Sequence, residues 1–227
     1  MFVKVCGITT EEDALLAVAL GADALGFVFA PGSPRQVTRE TVGAILHRLP
    51  PGIITVGVFR DEARDRVVEI VNTLGLGGVQ LHGREPMSDV RFIRRRVPFL
   101  IQGFAAGDPA IAAVGNGPVD IVLVDSAEPG SGAVFDWALA EGVPAGVRLL
   151  LAGGLNAENV AQAVRRVRPW GVDVSSGVET FAGSGRKDAR KLRRFVEAAR
   201  TAGEELATDG WMPHPGAAPY DWMVDGA

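Results

Sequence analysis

Eight times between Phe2 and Gly203, a short apolar run rich in β-branched residues gives way to a stretch with helical character. No other feature narrows the possible folds as much. The strands read as near-continuous apolar segments, which suits a parallel sheet covered on its outer face. Eight βα units in this length are the count of a (β/α)₈ barrel, an α/β fold built as a single domain. A doubly wound sheet is the alternative, but it would want G-x-G-x-x-G opening the first helix. After FVKVC there is only one glycine before TTEED.

The expected strands are FVKVC (Phe2 to Cys6), DALGFVF, IITVGVF (Ile53 to Phe59), GVQLH (78–82), FLIQGF, VDIVLVD ending at Asp125, VRLLLAGG and GVDVSSG. Between them, Thr9 and Glu12 have capping-box spacing at the head of the first helix, and Gly21 is placed to stop it. Thr38 opens the second helix, and the third, DEARDRVVEIVNTLG, ends at Gly75. A fourth lies around Ser88 to Arg96, with short helices near Pro109 to Val114 and in FDWALAEG. NAENVAQAVRRV and a long basic amphipathic helix, RKDARKLRRFVEAARTAG, complete the series.

With 47% hydrophobic and 22% charged residues, the chain has ample material for one core. Its formal charge of −4 is scattered, with no basic stripe of the kind a nucleic-acid surface needs. No apolar stretch approaches the roughly 20 residues that span a bilayer, and MFVKVCGITT lacks the order of a signal peptide. A cytoplasmic protein without membrane or nucleic-acid partners is expected. One cysteine forms no internal disulfide, and with three scattered histidines it makes no metal site by spacing. The barrel is expected to occupy residues 1–203. Residues 204–227 hold five acids, no lysine or arginine, and Trp211, Tyr220 and Trp222. They read as a disordered acidic end, or alternatively as a tail docked by its aromatics.

In such a barrel the chemistry sits at the C-terminal ends of the strands, where the βα loops converge. That rule gathers Cys6, Ser33-Pro34-Arg35, Gln80-Leu81-His82, Asp125-Ser126 and Asp173-Val174-Ser175-Ser176 on one rim. The loops AGGLN and SSGVE, after strands 7 and 8, offer glycine backbone N–H groups and helix N-termini to a phosphate. Asp125 ends the apolar run IVLV, so burial would raise its pKa and fit it for general acid work; a loop or capping role is the bland alternative. Arg35 follows a proline in a stiff loop and offers a carboxylate a bidentate partner, unless it is a surface arginine. His82 is expected to pack beneath the rim. Cys6 is a buried small hydrophobe, a nucleophile or a general base.

These segments resemble the phosphoribosylanthranilate isomerase family: KVCGIT, DALGFVFAPGSPRQV, VGVF, VQLHG, LVDS, GSGAVFDW, LAGGLNAENV, GVDVSSGVE and GRKDARKLRRF. They run in the family's order from residue 3 to about 196. The resemblance implies a cofactor-free, metal-free Amadori rearrangement in tryptophan biosynthesis. In it, N-(5′-phosphoribosyl)anthranilate becomes 1-(2-carboxyphenylamino)-1-deoxyribulose 5′-phosphate. It implies Asp125 as general acid, Cys6 as general base and Arg35 on the anthranilate carboxylate. It further implies Gly153, Gly154, Ser176 and Gly177 around the phosphate, Asp173 as a substrate contact, and a monomer or homodimer. One departure stands between Asp125 and Phe135, where the family's Gly-Gly-Thr-Gly loop is replaced by SAEPGSGAVF. Two other readings compete. A histidine-pathway aminoaldose isomerase would pair two aspartates, but strand 1 ends in cysteine. A non-catalytic sugar-phosphate barrel would not need both a proton donor and an acceptor.

Overall fold

The computed structural model describes residues 1–114, 117–126, 136–140, 143–144 and 146–208. Its strands are β1 (Phe2–Cys6), β2 (Ala24–Val28), β3 (Ile54–Phe59), β4 (Gly78–Leu81), β5 (Leu100–Ala105), β6 (Ile121–Asp125), β7 (Arg148–Leu151) and β8 (Gly171–Val174). Each pairs in parallel with the next, and β8 closes on β1. The eightfold alternation therefore does fold as a closed barrel.

The helices on the outside are α1 (Glu11–Ala19), α2 (Arg39–Leu46), α3 (Arg64–Leu74), α4 (Met87–Arg94), α5 (Val160–Val167) and α6 (Ala189–Thr208). Local chemistry sets some of their ends. The Thr38 side chain accepts from the Thr41 N–H at the head of α2, and Gly75 ends α3 in the left-handed conformation at φ 65°. At α1 the cap is Thr10, which accepts from the Asp13 N–H, and not Thr9. The Thr9 hydroxyl instead donates to the Gly185 carbonyl, so a tertiary partner shifted the cap by one residue.

Among the described residues, two connections expected to be helical form 3₁₀ turns, Pro109–Ala113 and Trp137–Ala140. Segments this short cannot offset the cost of an α-helical nucleus, and the tighter 3₁₀ turn is the usual outcome. At the other end, α6 runs past Gly203 to Thr208. Gly203 is buried, and a Cβ there would sit 2.6 Å from the Met1 Cβ, so this glycine permits close packing and does not end the helix. Glu205, expected to lie outside the barrel, pairs with Arg165 of α5 at 2.8 Å. Residues 209–227, with the aromatics Trp211, Tyr220 and Trp222, lie outside the described residues.

Period-two alternation divides the side chains between two cores. Val3, Val5, Leu25 and Phe27 belong to the layer between sheet and helices. Val56, Phe99, Ile101, Ile121, Leu123, Leu150 and Ala152 fill the barrel interior. Above that plug, toward the C-terminal ends of the strands, the buried residues become polar: Lys4, Gln80, Asp125 and Asp173. Among the described residues no helix is long and apolar enough to cross a membrane.

The interior plug is tight enough to test. A Cβ on Gly78 would lie 2.2 Å from Cε1 of Phe99, whose ring is fully buried. Gly78→Ala is expected to cost about 1–3 kcal/mol through overpacking. Urea unfolding should show a lower midpoint with an unchanged slope; an unchanged midpoint would mean that the plug yields.

Candidate active site

At the C-terminal ends of the strands a cavity of about 570 Å³ is lined by Cys6, Arg35, His82, Asp125 and Asp173, among others. A larger recess of about 910 Å³ opens beyond Arg60 and His82 over the loops after β4 and β5. Cys6, Arg35, Asp125 and Asp173 line only the smaller one, so the chemistry is placed there.

Cys6 ends β1 with 7% of its surface exposed. Its sulfur lies 2.8 Å from the point that a Cβ on Gly26 of β2 would occupy, and the Lys4 ammonium nitrogen is 3.2 Å from the same point. A side chain at position 26 would displace both. Burial pushes the Cys6 thiol up, with Asp173 adding to the rise, while Lys4 and Lys187 oppose it. Lys4 itself is fully buried and donates to Asp173 Oδ1 at 3.0 Å. Burial works against its charge, yet Asp173 and Cys6 hold its pKa above the ordinary lysine value.

Asp125 ends β6, nine-tenths buried, and its Oδ1 accepts from the Ser126 N–H at 2.7 Å. Burial raises its pKa to about 6; the Ser126 N–H pulls against the rise and Asp173 reinforces it. His82, expected beneath the rim, lines the cavity with Nε2 3.6 Å from Asp125 Oδ2. Burial, with Lys4 nearby, lowers the imidazole to about 4. The ring is thus neutral at pH 7, and the contact is no ion pair. As oriented, Gln80 Nε2 donates to His82 Nδ1 at 2.8 Å, which leaves the ring proton on Nε2, facing Asp125.

Arg35 reaches the cavity across Gly7. Gly7 has φ 72°, and a Cβ there would meet the Arg35 Cδ at 2.4 Å. One edge of the guanidinium is already engaged: Nε donates to Glu179 Oε1 at 2.6 Å and Nη2 to Oε2 at 3.1 Å. Burial opposes ionisation of Glu179, but Arg35 and Lys187 hold its carboxyl below the ordinary value. Lys187, also buried, donates to the Cys6 carbonyl at 2.8 Å and the Ser175 carbonyl at 3.1 Å.

Of the two glycine loops, Ser175, next to Ser176, lines this cavity, whereas Gly153, Gly154, Ser176 and Gly177 do not. Gly153 and Gly154 have φ 82° and 65°, turning the chain sharply after β7. A Cβ on Gly177 would fall 1.9 Å from the Leu155 carbonyl oxygen, so the loop after β8 packs directly on the loop after β7. Ser176 opens the 3₁₀ turn Ser176–Val178 in the same place. The structure therefore brings Cys6, Arg35, Asp125 and Asp173 into one cavity, while Gly153, Gly154, Ser176 and Gly177 are not among its lining residues.

Sequence reasoning missed Lys4, Glu179 and Lys187. The signal for Lys4 was present: it is a charge two residues before Cys6 in an apolar strand, hence on the same face of the sheet. Glu179 and Lys187 had no such signal, because only the fold brings them together. The loop SAEPGSGAVF, apart from Ser126, lies outside the described residues.

Comparison with known proteins shows the family. Residues 3–198 match the family described as N-(5′-phosphoribosyl)anthranilate (PRA) isomerase. An N-(5′-phosphoribosyl)anthranilate isomerase of Pelobacter propionicus is 44% identical over 207 residues, covering 89% of this chain and 97% of its own. That of Desulforudis audaxviator is 46% identical over 88% of this chain and 98% of its own. Among solved structures, the phosphoribosyl anthranilate isomerase of Thermus thermophilus is similar, with a TM-score of 0.82 and 41% identity over 88% of this chain and 99% of its own. A phosphoribosyl anthranilate isomerase in complex with reduced 1-(o-carboxyphenylamino)-1-deoxyribulose 5-phosphate has a TM-score of 0.77 and 38% identity over the same shares.

The buried Asp125 carboxyl predicts a measurable titration. Its folded pKa of about 6 lies above the ordinary 3.8. The folded state then binds more protons than the unfolded state between those values. Stability from this group is present below the lower value and is lost as pH rises through the upper one, by roughly 2–3 kcal/mol. A carboxyl resonance titrating near pH 6 in ¹³C NMR, absent in Asp125→Asn, is expected. A resonance titrating near 4 would remove this electrostatic account of Asp125.

Proposed function

The chain belongs to the N-(5′-phosphoribosyl)anthranilate isomerase family, and from that premise we propose that Cys6 and Asp125 carry its reaction as base and acid. The protein isomerises N-(5′-phosphoribosyl)anthranilate in tryptophan biosynthesis. The observation that supports the assignment is one of placement: the two groups end β1 and β6 and line one cavity.

In this reading, protonated Asp125 gives its proton to the furanose ring oxygen as the C1′–O bond breaks, leaving a protonated Schiff base at C1′. The Cys6 thiolate then takes the proton from C2′. The C2′–H electron pair forms the C1′=C2′ bond, and the C=N pair returns to nitrogen. The enolamine tautomerises to the ketone. Two positioned groups with shifted pKa values are sufficient for such proton transfers. The free edge of Arg35 takes the anthranilate carboxylate, while its other edge stays on Glu179. Gly153, Gly154, Ser176 and Gly177 cradle the phosphate, and Asp173 contacts the sugar from the cavity wall. No metal or cofactor enters these steps.

The same reading covers the chain's surroundings. Its partner is a small phosphorylated sugar–anthranilate, and a phosphorylated intermediate of a biosynthetic pathway supports a cytoplasmic location. A related isomerase from Thermotoga maritima is described as dimeric, and monomers were generated from it; we extend either state to this chain.

Steady-state kinetics test the acid–base pair. Cys6→Ser and Asp125→Asn are each expected to lower kcat by about 10²–10⁴-fold, with KM changed far less. Near-normal turnover in either variant would contradict the role given to that residue. Glu179→Gln, which loosens one edge of Arg35, is expected to raise KM more than it lowers kcat. The reverse pattern would remove Arg35 from substrate binding.

A further inference from the structure

We propose that Lys4 is a positioning residue for Cys6: its ammonium, anchored by Asp173, holds the thiolate that takes the C2′ proton. The inference rests on Cys6 being the base. A buried thiol in an apolar wall would resist ionisation, yet the reaction needs the thiolate. The structure supplies a cation at the required place. Lys4 is the residue two before Cys6 on β1, so both side chains enter the barrel on the same face. Lys4 is 0% exposed, and its nitrogen and the Cys6 sulfur converge on the space left free by Gly26.

The remaining charges around the sulfur come from other elements. Asp173, on β8, accepts a hydrogen bond from the Lys4 ammonium at 3.0 Å and fixes where it points. Lys187, from the segment before α6, lies behind Cys6 with its nitrogen on the Cys6 carbonyl. Asp125, His82 and Arg35 line the same cavity as Cys6. Of these, Lys4 interacts most strongly with the thiolate, and Asp173 opposes it.

The resting thiol releases its proton to water as the thiolate forms against the ammonium. The thiolate then accepts the C2′ proton, and that C–H pair becomes the C1′=C2′ bond. Lys4 keeps its three protons throughout.

The chain has one cysteine, so alkylation by iodoacetamide across pH reads Cys6 alone. Lys4→Met is expected to move the thiol titration upward by about one pH unit or more, slowing alkylation about tenfold at pH 7. Its kcat should fall in parallel, with KM little changed, and Lys4→Arg should restore most of the titration. Asp173→Asn should move the titration the opposite way, downward, because it removes a negative charge and leaves the ammonium to the sulfur. A Lys4→Met protein that titrates like the parent chain would overturn the proposal, whatever its activity. If Lys4→Met does not fold, Lys4→Gln, which keeps a polar side chain there without the charge, decides: a titration that is unchanged or lowered is the contrary result. Alkylation reports on the sulfur independently of catalysis. An active Cys6→Ser enzyme would instead remove the base assignment, so the two failures can be told apart.

Discussion

The barrel closes on a charge. β1 and β8 are the first and last strands, and Lys4 and Asp173 are register partners across their seam, joined by a buried 3.0 Å ion pair. Hydrophobic residues of similar volume would often serve stability as well or better, while losing one partner of such a pair costs about 3–5 kcal/mol. Below this pair the interior follows the apolar option, with Val56, Ile101, Leu123 and Leu150 forming the plug. A charged pair at the top of that plug makes better sense as chemistry than as packing. It stands between the core that holds the strands in place and the cavity that uses them.

A second buried group extends the arrangement outward. Lys187 ties the carbonyls of Cys6 and Ser175 together, and Glu179 holds Arg35 by two bonds. Strand ends, the loop after β2 and the start of α6 are thereby fixed to one another. Gly7 and Gly26 make this possible by leaving out a side chain where Arg35 and the Cys6–Lys4 pair must pass. The network preorganises the groups proposed to act on the substrate, so little rearrangement is left for the reaction itself. It also divides Arg35 in two, one edge structural and one free.

The fold was legible because each strand carries its own pattern. Apolar runs such as IVLVD and VRLLL, ended by glycine or aspartate, recur at the right spacing whatever the tertiary details. Rim residues were legible for the same reason, since a strand end is a position that can be counted. Helix ends were less so: Thr9 and Thr10 both suit a cap, and only the Gly185 carbonyl separates them. Gly203 looks like a stop signal until Met1 packs on it. His82 looked like packing because nothing nearby in sequence predicts Asp125 beside it. Pairs such as Arg35–Glu179 join residues 144 positions apart, and no local pattern records them.

A crystal structure of this chain with reduced 1-(o-carboxyphenylamino)-1-deoxyribulose 5-phosphate bound would test the account most directly. The Cys6 sulfur is expected in contact with C2′ and the Asp125 carboxyl on the far side of the sugar. The phosphate is expected on the loops of Gly153 and Gly177 and the carboxylate on the free edge of Arg35. A ligand seated in the recess beyond His82, out of reach of Cys6, would contradict it.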